Sequence, residues 1–319
     1  MAFNPGHPSA FSSVSYQHDY HDKKIHPTTL TRINELHPSY SLHKEFKQTQ
    51  KNPTYSHFKR YQFQCDLVDI QNLAKDNDNV NYLFTCIDTF TKFAFVRMLE
   101  RKDGNSVLRG FKSILQEAVQ PPLVLVMDRG AEFHNKIFSD YCLQNGITFY
   151  APDTSMHGGI VERFNRTLQS IIYRYMTEYN TRRFIDRIGE NGTVIPLMPL
   201  FLQTYNNRNH RMIGTTPAIA ESNPHLHVEI RKRLSSYYAK IKSKPVVFQV
   251  GDFVRISRFR DKFFRGYKGT ATDEIFKVHA INRKHKIPLY ILSNLDGSEI
   301  IRGSFYASEI VKVSPTLIR

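Results

Sequence analysis

The stretch Tyr61-Gln-Phe-Gln-Cys-Asp-Leu-Val-Asp-Ile70 decides the fold, because it is an apolar, strand-like run that carries an acid in its middle. Further strand-like runs cover 81–87, 92–99, 123–127 and 147–150. Helical spacing of apolar residues covers 106–119 and 136–145. Three strands, a helix, a strand, a helix and a strand predict an α/β layer built on a mixed five-stranded sheet.

Three carboxylates lie within or next to these strand-like and helix-like segments. Asp66 lies within the first run, Asp128 ends Leu123-Val-Leu-Val-Met-Asp, and Glu162 begins a helix-like segment. We expect the three to meet at one sheet edge and to coordinate two metal ions, since paired cations stabilise both the entering and the leaving oxygen in phosphoryl transfer. The alternative for Asp128 is an ordinary turn, because Arg129-Gly130 follows it.

Two neighbouring acids compete with Asp66 for this role. Asp69 is three residues further along the strand, so alternation places its side chain on the opposite face. Asp88 ends a strand just before Thr89, where a hydrogen bond that stabilises a turn is the expected role. Both rank below Asp66 as ligands.

Four sequence motifs resemble those of the catalytic core of retroviral-type integrases, which are DDE transposases of ribonuclease H-like fold. They are Asp66-Leu-Val-Asp-Ile, Ile87-Asp-Thr-Phe-Thr-Lys-Phe-Ala, Asp128-Arg-Gly-Ala-Glu-Phe-His-Asn and His157-Gly-Gly-Ile-Val-Glu-Arg-Phe-Asn-Arg. Glu162 follows Asp128 by 34 positions (162 − 128), close to the spacing in that family. Integrases of Polinton/Maverick-type transposons look most similar, and the resemblance extends over roughly 58–313.

The resemblance implies an activity and its cofactor. Asp66, Asp128 and Glu162 would be the catalytic residues and would bind two Mg²⁺ ions, with Mn²⁺ as a substitute. Arg163, Asn165 and Arg166 would face DNA phosphates. The reaction implied is 3′-end processing followed by strand transfer of element DNA into target DNA. The implied partners are double-stranded DNA, both element ends and target, and further copies of the chain in a homo-oligomer.

The first segment, 1–57, contains several histidines and no cysteine. Integrases of this type usually begin with a His-His-Cys-Cys zinc domain, and zinc sites of that kind need both thiolates. We therefore expect an irregular N-terminal arm and no zinc. The catalytic core is expected over 58–222, and its loop at 151–159 is expected to be mobile or simply an ordinary surface loop.

The last third of the chain divides into a helical linker and a small β domain. Apolar residues form one stripe along 228–242, which is expected to pack on its own domain or on another subunit, so 223–245 is predicted to be the linker. Residues 246–313 alternate like short strands, and Asp296-Gly297 is a hairpin signal, which predicts an all-β, SH3-like barrel. Basic residues interleaved with aromatic ones favour DNA contact, the alternative being a chromodomain-like module. The basic candidates are Arg255, Arg258, Arg260, Lys262, Arg265 and Lys268.

Composition is consistent with a nucleic-acid partner. The formal net charge is +15 over 319 residues, which favours an anionic partner such as DNA. No apolar run is long enough for a membrane helix, so no membrane partner is expected. The three cysteines, Cys65, Cys86 and Cys142, form no Cys-x-x-Cys pair and are expected to be reduced structural thiols. Arg231-Lys-Arg is a weak nuclear-import signal, and the nucleus is the expected location.

Three hypotheses remain open on the sequence. The first is an integrase or transposase acting as a Mg²⁺-dependent polynucleotidyl transferase. The second is a nuclease with the same ribonuclease H-like fold. The third is a domesticated, non-catalytic DNA- or chromatin-binding protein, which has no need for three carboxylates that repel phosphate.

Overall fold

The computed structural model describes residues 41–42, 52–128, 130–150, 159–257, 269–301 and 303–314. The described residues form two compact units. The first contains 52–243, and the second contains 244–314 together with 41–42. The first unit therefore includes residues 52–57, which the sequence analysis places in the N-terminal arm, and nearly all of the segment predicted to be a linker.

A mixed five-stranded sheet forms the centre of the first unit, as the sequence predicts. Its strands are β1 (Gln62–Asp69), β2 (Tyr82–Asp88), β3 (Ala94–Leu99), β4 (Val124–Val126) and β5 (Thr148–Tyr150). Their order is β3-β2-β1-β4-β5, in which β3, β2 and β1 pair antiparallel while β4 and β5 run parallel to β1. The two parallel connections bring the ends of β1 and β4 to the same part of the sheet.

Helices cover both faces of this sheet. They are α1 (Gly104–Ala118), α2 (Lys136–Gln144), α3 (Gly159–Glu178) and α4 (Met198–Asn206). Helices α1 and α2 pack on the face that receives Phe63 and Cys65, while α3 and α4 pack on the face that receives Val68. Because side chains alternate along a strand, β1 contributes to both cores at once.

Several predicted boundaries shift by one or two residues for local reasons. Helix α1 begins one residue after Asp103, whose carboxylate accepts a hydrogen bond from the Ser106 amide at 2.9 Å. It ends before Val119, which has a φ of +66°. Strand β3 begins after Lys92, which has a φ of +62° in the turn that follows β2. Gly146 has a φ of +67° just after α2, as expected for a helix C-terminus.

The expected linker is part of the first unit. Helix α5 (Pro217–Ser222) precedes α6 (His227–Ala239), which lies within the range predicted to be a linker. Ile230 and Leu234 of α6 are buried against Phe90 and Ile213. The apolar stripe therefore packs on its own unit. A short hairpin, β6 (Asp186–Ile188) and β7 (Val194–Pro196), lies between α3 and α4.

The second unit contains a five-stranded antiparallel sheet. Its strands are β8 (Phe253–Ile256), β9 (Phe276–Asn282), β10 (Leu289–Ser293), β11 (Phe305–Tyr306) and β12 (Ile310–Lys312). Their order is β11-β10-β9-β8-β12. Gly297, with a φ of +79°, lies in the turn between β10 and β11, where the sequence predicts a hairpin. The backbone carbonyl of Leu42 accepts hydrogen bonds from the Ala271 amide and the Thr270 hydroxyl, so this part of the N-terminal segment belongs to the second unit.

The three cysteines are buried free thiols. Burial raises the pKa of Cys142 to about 11, which makes it an inert core residue. No helix in the described part of the chain is long and apolar enough to span a membrane.

Candidate active site

Strand β1 and helix α3 position the first carboxylate. Asp66 is half-buried, and its Oδ1 accepts a hydrogen bond from the Leu67 amide at 2.8 Å. Its Oδ2 accepts a hydrogen bond from Nδ2 of Asn165, also at 2.8 Å. The side chain is therefore held at both oxygens, once by its own strand and once by α3.

The other two carboxylates approach Asp66 through the sheet and the helix. Gln64 pairs with Val126 in the parallel ladder, and Asp66 and Asp128 each stand two residues further along. Glu162 lies in the first turn of α3, the helix whose Asn165 bonds to Asp66. The fold thus brings together three acids that are far apart in sequence.

The charges of Asp128 and Glu162 act on Asp66. Burial, and next the negative charge of Asp128, raise the pKa of Asp66 from 3.8 to about 6. Glu162 raises this pKa further, whereas the hydrogen bonds from Leu67 and Asn165 lower it. Carboxylates that repel one another at such a site are stabilised by a bound cation.

The donor set fits magnesium in its chemistry. All three side chains offer hard carboxylate oxygens, which Mg²⁺ prefers. Oδ1 of Asn165 is buried beside Asp66 and has no hydrogen-bond partner among the described residues, so this oxygen is available to a metal ion or to its water. Within the described ranges, no three His, Cys, Asp or Glu side chains converge closely enough to form a preformed metal cluster. Ligation would therefore need the three carboxylates to draw together around the ion.

The two competing acids have structural roles, as the sequence predicts. Asp69 is exposed and accepts a hydrogen bond from the Gln71 amide at 3.0 Å. Asp88 is fully buried, and its Oδ1 accepts hydrogen bonds from the amides of Phe90 and Thr91 in the turn after β2. Its Oδ2 pairs with the Arg60 guanidinium at 3.1 Å.

Two residues expected to face DNA have other roles. Asn165 is only 7% exposed and donates to Asp66, because it occurs on the inner side of α3. Arg255 is only 6% exposed, and its guanidinium donates to the backbone carbonyls of Thr272 and Asp273. Asn165 therefore orients Asp66, and Arg255 connects segments within the second unit.

The remaining DNA-binding candidates divide into two groups. Arg163 and Arg166 are exposed on α3, on either side of the buried Asn165, so they are accessible to a nucleic acid. The other candidates lie outside the described residues, and they are Arg258, Arg260, Lys262, Arg265 and Lys268. The expected mobile loop before α3 also lies outside the described residues over 151–158.

The sequence did not reveal the role of Gln64. This buried side chain accepts hydrogen bonds from the backbone amides of Ile160 and Val161, at 3.1 and 3.2 Å, through its Oε1. The available signal was a polar residue two positions before Asp66, on the same face of the strand.

A buried cationic group near α3 was also missed. Burial lowers the pKa of Lys92 to about 8, while Asp88 opposes that shift and Arg163 adds to it. Burial, then the charges of Lys92 and Arg163, lower the pKa of His210 to about 4. His210 is therefore neutral at physiological pH, which limits the positive charge buried beside this helix.

Comparison with known proteins supports this account of the first unit. Residues 60–154 match the family model of the integrase core domain. A transposon-derived protein of Caenorhabditis elegans is 30% identical over 204 residues, covering 63% of this chain and 64% of that protein. The Gag-Pol polyprotein of a Ty1 transposon of Saccharomyces cerevisiae is 29% identical over 161 residues, covering 44% of this chain and 10% of the polyprotein.

A solved structure extends the similarity to the fold. A chain of the simian T-cell lymphotropic virus intasome, solved in complex with the PP2A regulatory subunit B56 gamma, aligns with a TM-score of 0.61 at 12% identity. The alignment covers 95% of this chain and 94% of the viral chain. The resemblance drawn from the acidic motifs is therefore confirmed for the core: residues 60–154 match an integrase core domain, and the chain is similar to transposon-derived proteins.

Proposed function

We propose that this protein is a DNA integrase or transposase, a Mg²⁺-dependent polynucleotidyl transferase that processes 3′ ends and joins them to target DNA. The observation that carries the proposal is the placement of Asp66 on β1 beside Asp128, which follows the adjacent parallel strand β4, and beside the helix of Glu162, in a unit whose residues 60–154 match an integrase core domain. A structural role alone gives no reason to gather three acids that repel one another.

The proposed mechanism assigns a task to each group. Asp66, Asp128 and Glu162 would hold two Mg²⁺ ions, which supply charge stabilisation to the entering and leaving oxygens of the phosphodiester. Asn165 orients Asp66 through the 2.8 Å hydrogen bond. Exposed Arg163 and Arg166 would contact phosphates and hold the DNA strand against the acids.

The second unit is proposed to be an SH3-like DNA-binding module. Its five-stranded antiparallel sheet is compatible with such a barrel, and the basic segment that follows β8 in the sequence would supply phosphate contacts. This segment includes Arg258, Arg260, Lys262, Arg265 and Lys268. Joining two DNA ends requires more DNA-binding surface than one core offers, so we propose a homo-oligomer working on chromosomal DNA in the nucleus.

Two other functions compete with this one. A nuclease of the same fold would use the same acids but would not join ends. A domesticated DNA- or chromatin-binding protein would retain binding without metal-dependent chemistry. The integrase proposal is preferred to the second alternative because all three acids are present and coupled.

A strand-transfer assay tests the proposal. Labelled duplex carrying an element end is incubated with the protein, Mg²⁺ and a supercoiled plasmid, and joined products are resolved on a gel. We expect joining by the natural chain and its loss, by at least about 100-fold, in Asp66→Asn, Asp128→Asn and Glu162→Gln, because each change removes one ligand charge.

The matched control is Asp69→Asn, which neutralises an exposed acid three residues from Asp66 on the same strand. This variant should join ends at the natural rate. Cleavage without joining would favour the nuclease, and undiminished joining by the Asp66→Asn and Asp128→Asn variants would refute the assignment of the acids.

A further inference from the structure

Gln64 joins the strand of one catalytic acid to the helix of another. It lies two residues before Asp66 on β1, so both side chains point to the face covered by α3. The side chain is only 2% exposed. Its Oε1 accepts hydrogen bonds from the amides of Ile160 and Val161, the two residues that directly precede Glu162.

The amide of Gln64 is also fixed at its other end. Nε2 donates to the Thr54 hydroxyl at 3.3 Å. The backbone carbonyl of Thr54 in turn accepts the hydroxyl of Tyr238 on α6. The orientation of the amide is determined by its partners, because two backbone N–H groups can bond only to the carbonyl oxygen.

This contact occurs where a helix is least constrained by its own hydrogen bonds. The first amides of an α-helix have no partner within the helix, and a buried side chain that accepts them fixes the first turn. Glu162 lies in that turn, and Asp66 lies on the strand that supplies the acceptor. The buried side-chain amide of Gln64 thus fixes the position of the backbone next to Glu162 relative to the strand that carries Asp66.

We propose that Gln64 is a positioning residue, which fastens the first turn of α3 to β1 and thereby holds Glu162 in register with Asp66. This inference rests on the proposed function, since it concerns the geometry of the proposed catalytic acids. Gln64 itself contacts neither substrate nor metal in this scheme. A displacement of about 1 Å in a catalytic group can reduce a rate by about 100-fold, so the loss of this link should be visible in the chemical step.

The test compares Gln64→Met with Gln62→Met in the full-length protein. Methionine has a similar size and cannot accept the two amides. Gln62 is a second buried glutamine on β1, and its side chain has no hydrogen bond to α3 within the described ranges. Single-turnover strand transfer gives the rate at saturating DNA and the half-saturating DNA concentration. Thermal melting checks that both variants are folded.

Gln64→Met should lower the rate at saturating DNA by about 10- to 100-fold and leave the half-saturating concentration within about two-fold of the natural value. Gln62→Met should leave both values within about two-fold. Equal rates in the two variants would overturn the inference, and so would a loss that lies wholly in DNA affinity.

Amide hydrogen exchange gives a readout that does not need activity. In Gln64→Met, the amides of Ile160 and Val161 should exchange at least about ten-fold faster than in the natural chain. Gln64→Glu retains an acceptor oxygen and should restore their protection. Unchanged exchange in Gln64→Met would show that the link is absent in solution. If the natural chain joins no DNA, the proposed function fails, while the exchange experiment still decides whether Gln64 fastens α3.

Discussion

Asp66 stands in an environment that disfavours its own charge. Burial and two neighbouring acids raise its pKa to about 6, although the Leu67 amide and Asn165 partly compensate. In the metal-free protein, ionisation of this residue therefore costs folding free energy. A metal ion would reverse this effect by favouring the carboxylate form.

Asp66→Asn should therefore make the metal-free protein more stable at pH 7.5. The folded-state pKa of about 6 lies above the unfolded value of 3.8, so the contribution of Asp66 to wild-type stability is fully present below about pH 4 and is lost as the pH rises through about 6. The variant escapes this loss and should gain roughly 1–3 kcal/mol in unfolding free energy above pH 6, but not at pH 4. Urea unfolding in EDTA measures both values.

Asp69→Asn serves as the control and should show no such pH-dependent gain, since that acid is exposed. A gain of equal size at pH 4 and pH 7.5 in Asp66→Asn would contradict the electrostatic explanation. Adding Mg²⁺ should raise the melting temperature of the natural chain more than that of the variant, because a ligand stabilises the state that binds it.

Arg60, which precedes β1, and Asp88, at the end of β2, form a buried ion pair. Arg60 is 4% exposed, Asp88 is fully buried, and the guanidinium also donates to the Ala118 carbonyl and to Glu221. Arg60→Met leaves the Asp88 carboxylate buried without its cation and should cost about 3 kcal/mol or more. Arg101→Met removes an exposed ion pair with Asp103 and should cost less than about 1 kcal/mol.

Denaturant unfolding of both variants measures the two costs. A small cost for Arg60→Met, equal to that for Arg101→Met, would show that the network adds little to stability.

At the scale of elements, Arg255 on strand β8 shows that a buried basic residue can have a structural role. Arg255 bonds to the carbonyls of Thr272 and Asp273 and to the Ser41 hydroxyl. Burial also lowers its pKa. This side chain therefore connects β8 to neighbouring chain segments, and its burial leaves little surface for the DNA contact that the sequence predicts.

Arg255→Ala should destabilise the second unit by roughly 1–3 kcal/mol, since it removes a buried guanidinium that donates to two part-buried carbonyls. DNA affinity of the protein that remains folded should be unchanged. The matched control is Arg283→Ala, at an exposed site in the same unit, which should change stability by less than about 0.5 kcal/mol. Melting curves and duplex titrations at fixed salt measure both effects, and weaker DNA binding without loss of stability would restore the contact role.

At the scale of the whole molecule, the first unit ends after α6. A fragment covering 52–243 should fold cooperatively, while one covering 52–222 should not reach the same stability. The shorter fragment lacks Ile230 and Leu234 and exposes Phe90 and Ile213, and each lost buried side chain costs roughly 1.5–3 kcal/mol.

Thermal melting and limited proteolysis compare the two fragments. Equal stability would show that α6 contributes little to the core. We expect 52–243 to lose concerted joining of two ends even though it is folded, because it lacks the second unit.

The net charge of +15 predicts strong salt dependence of duplex binding. Each neutralised phosphate releases counterions and adds about 0.9 to the slope of log affinity against log salt. The full chain should therefore show a steeper slope than 52–243 in anisotropy titrations on a random duplex. Equal slopes would place the DNA-binding surface in the first unit alone.

The sequence by itself determined the elements and the acids. Strand and helix ranges follow from periodicity and from local signals such as the Asp103 cap and Gly146, which involve residues only a few positions apart. Asp66, Asp128 and Glu162 could be identified without coordinates, because their flanking sequence motifs and their spacing resemble those of an integrase core. The turn role of Asp88 was equally local, since its partners Phe90 and Thr91 follow directly.

Only the tertiary structure decided which polar side chains are buried and what they contact. Asn165 reaches Asp66 across 99 positions and Gln64 reaches Ile160 across 96, while Arg255 meets Ser41 across 214. No local pattern encodes such pairs. Charged and amide side chains are usually exposed, so the sequence predicts exposure for them, and only the folded chain shows which of them are buried. The packing of α6 against Phe90 was unpredictable for the same reason. An apolar stripe predicts that one face of a helix is buried, but it does not identify the residues that bury it.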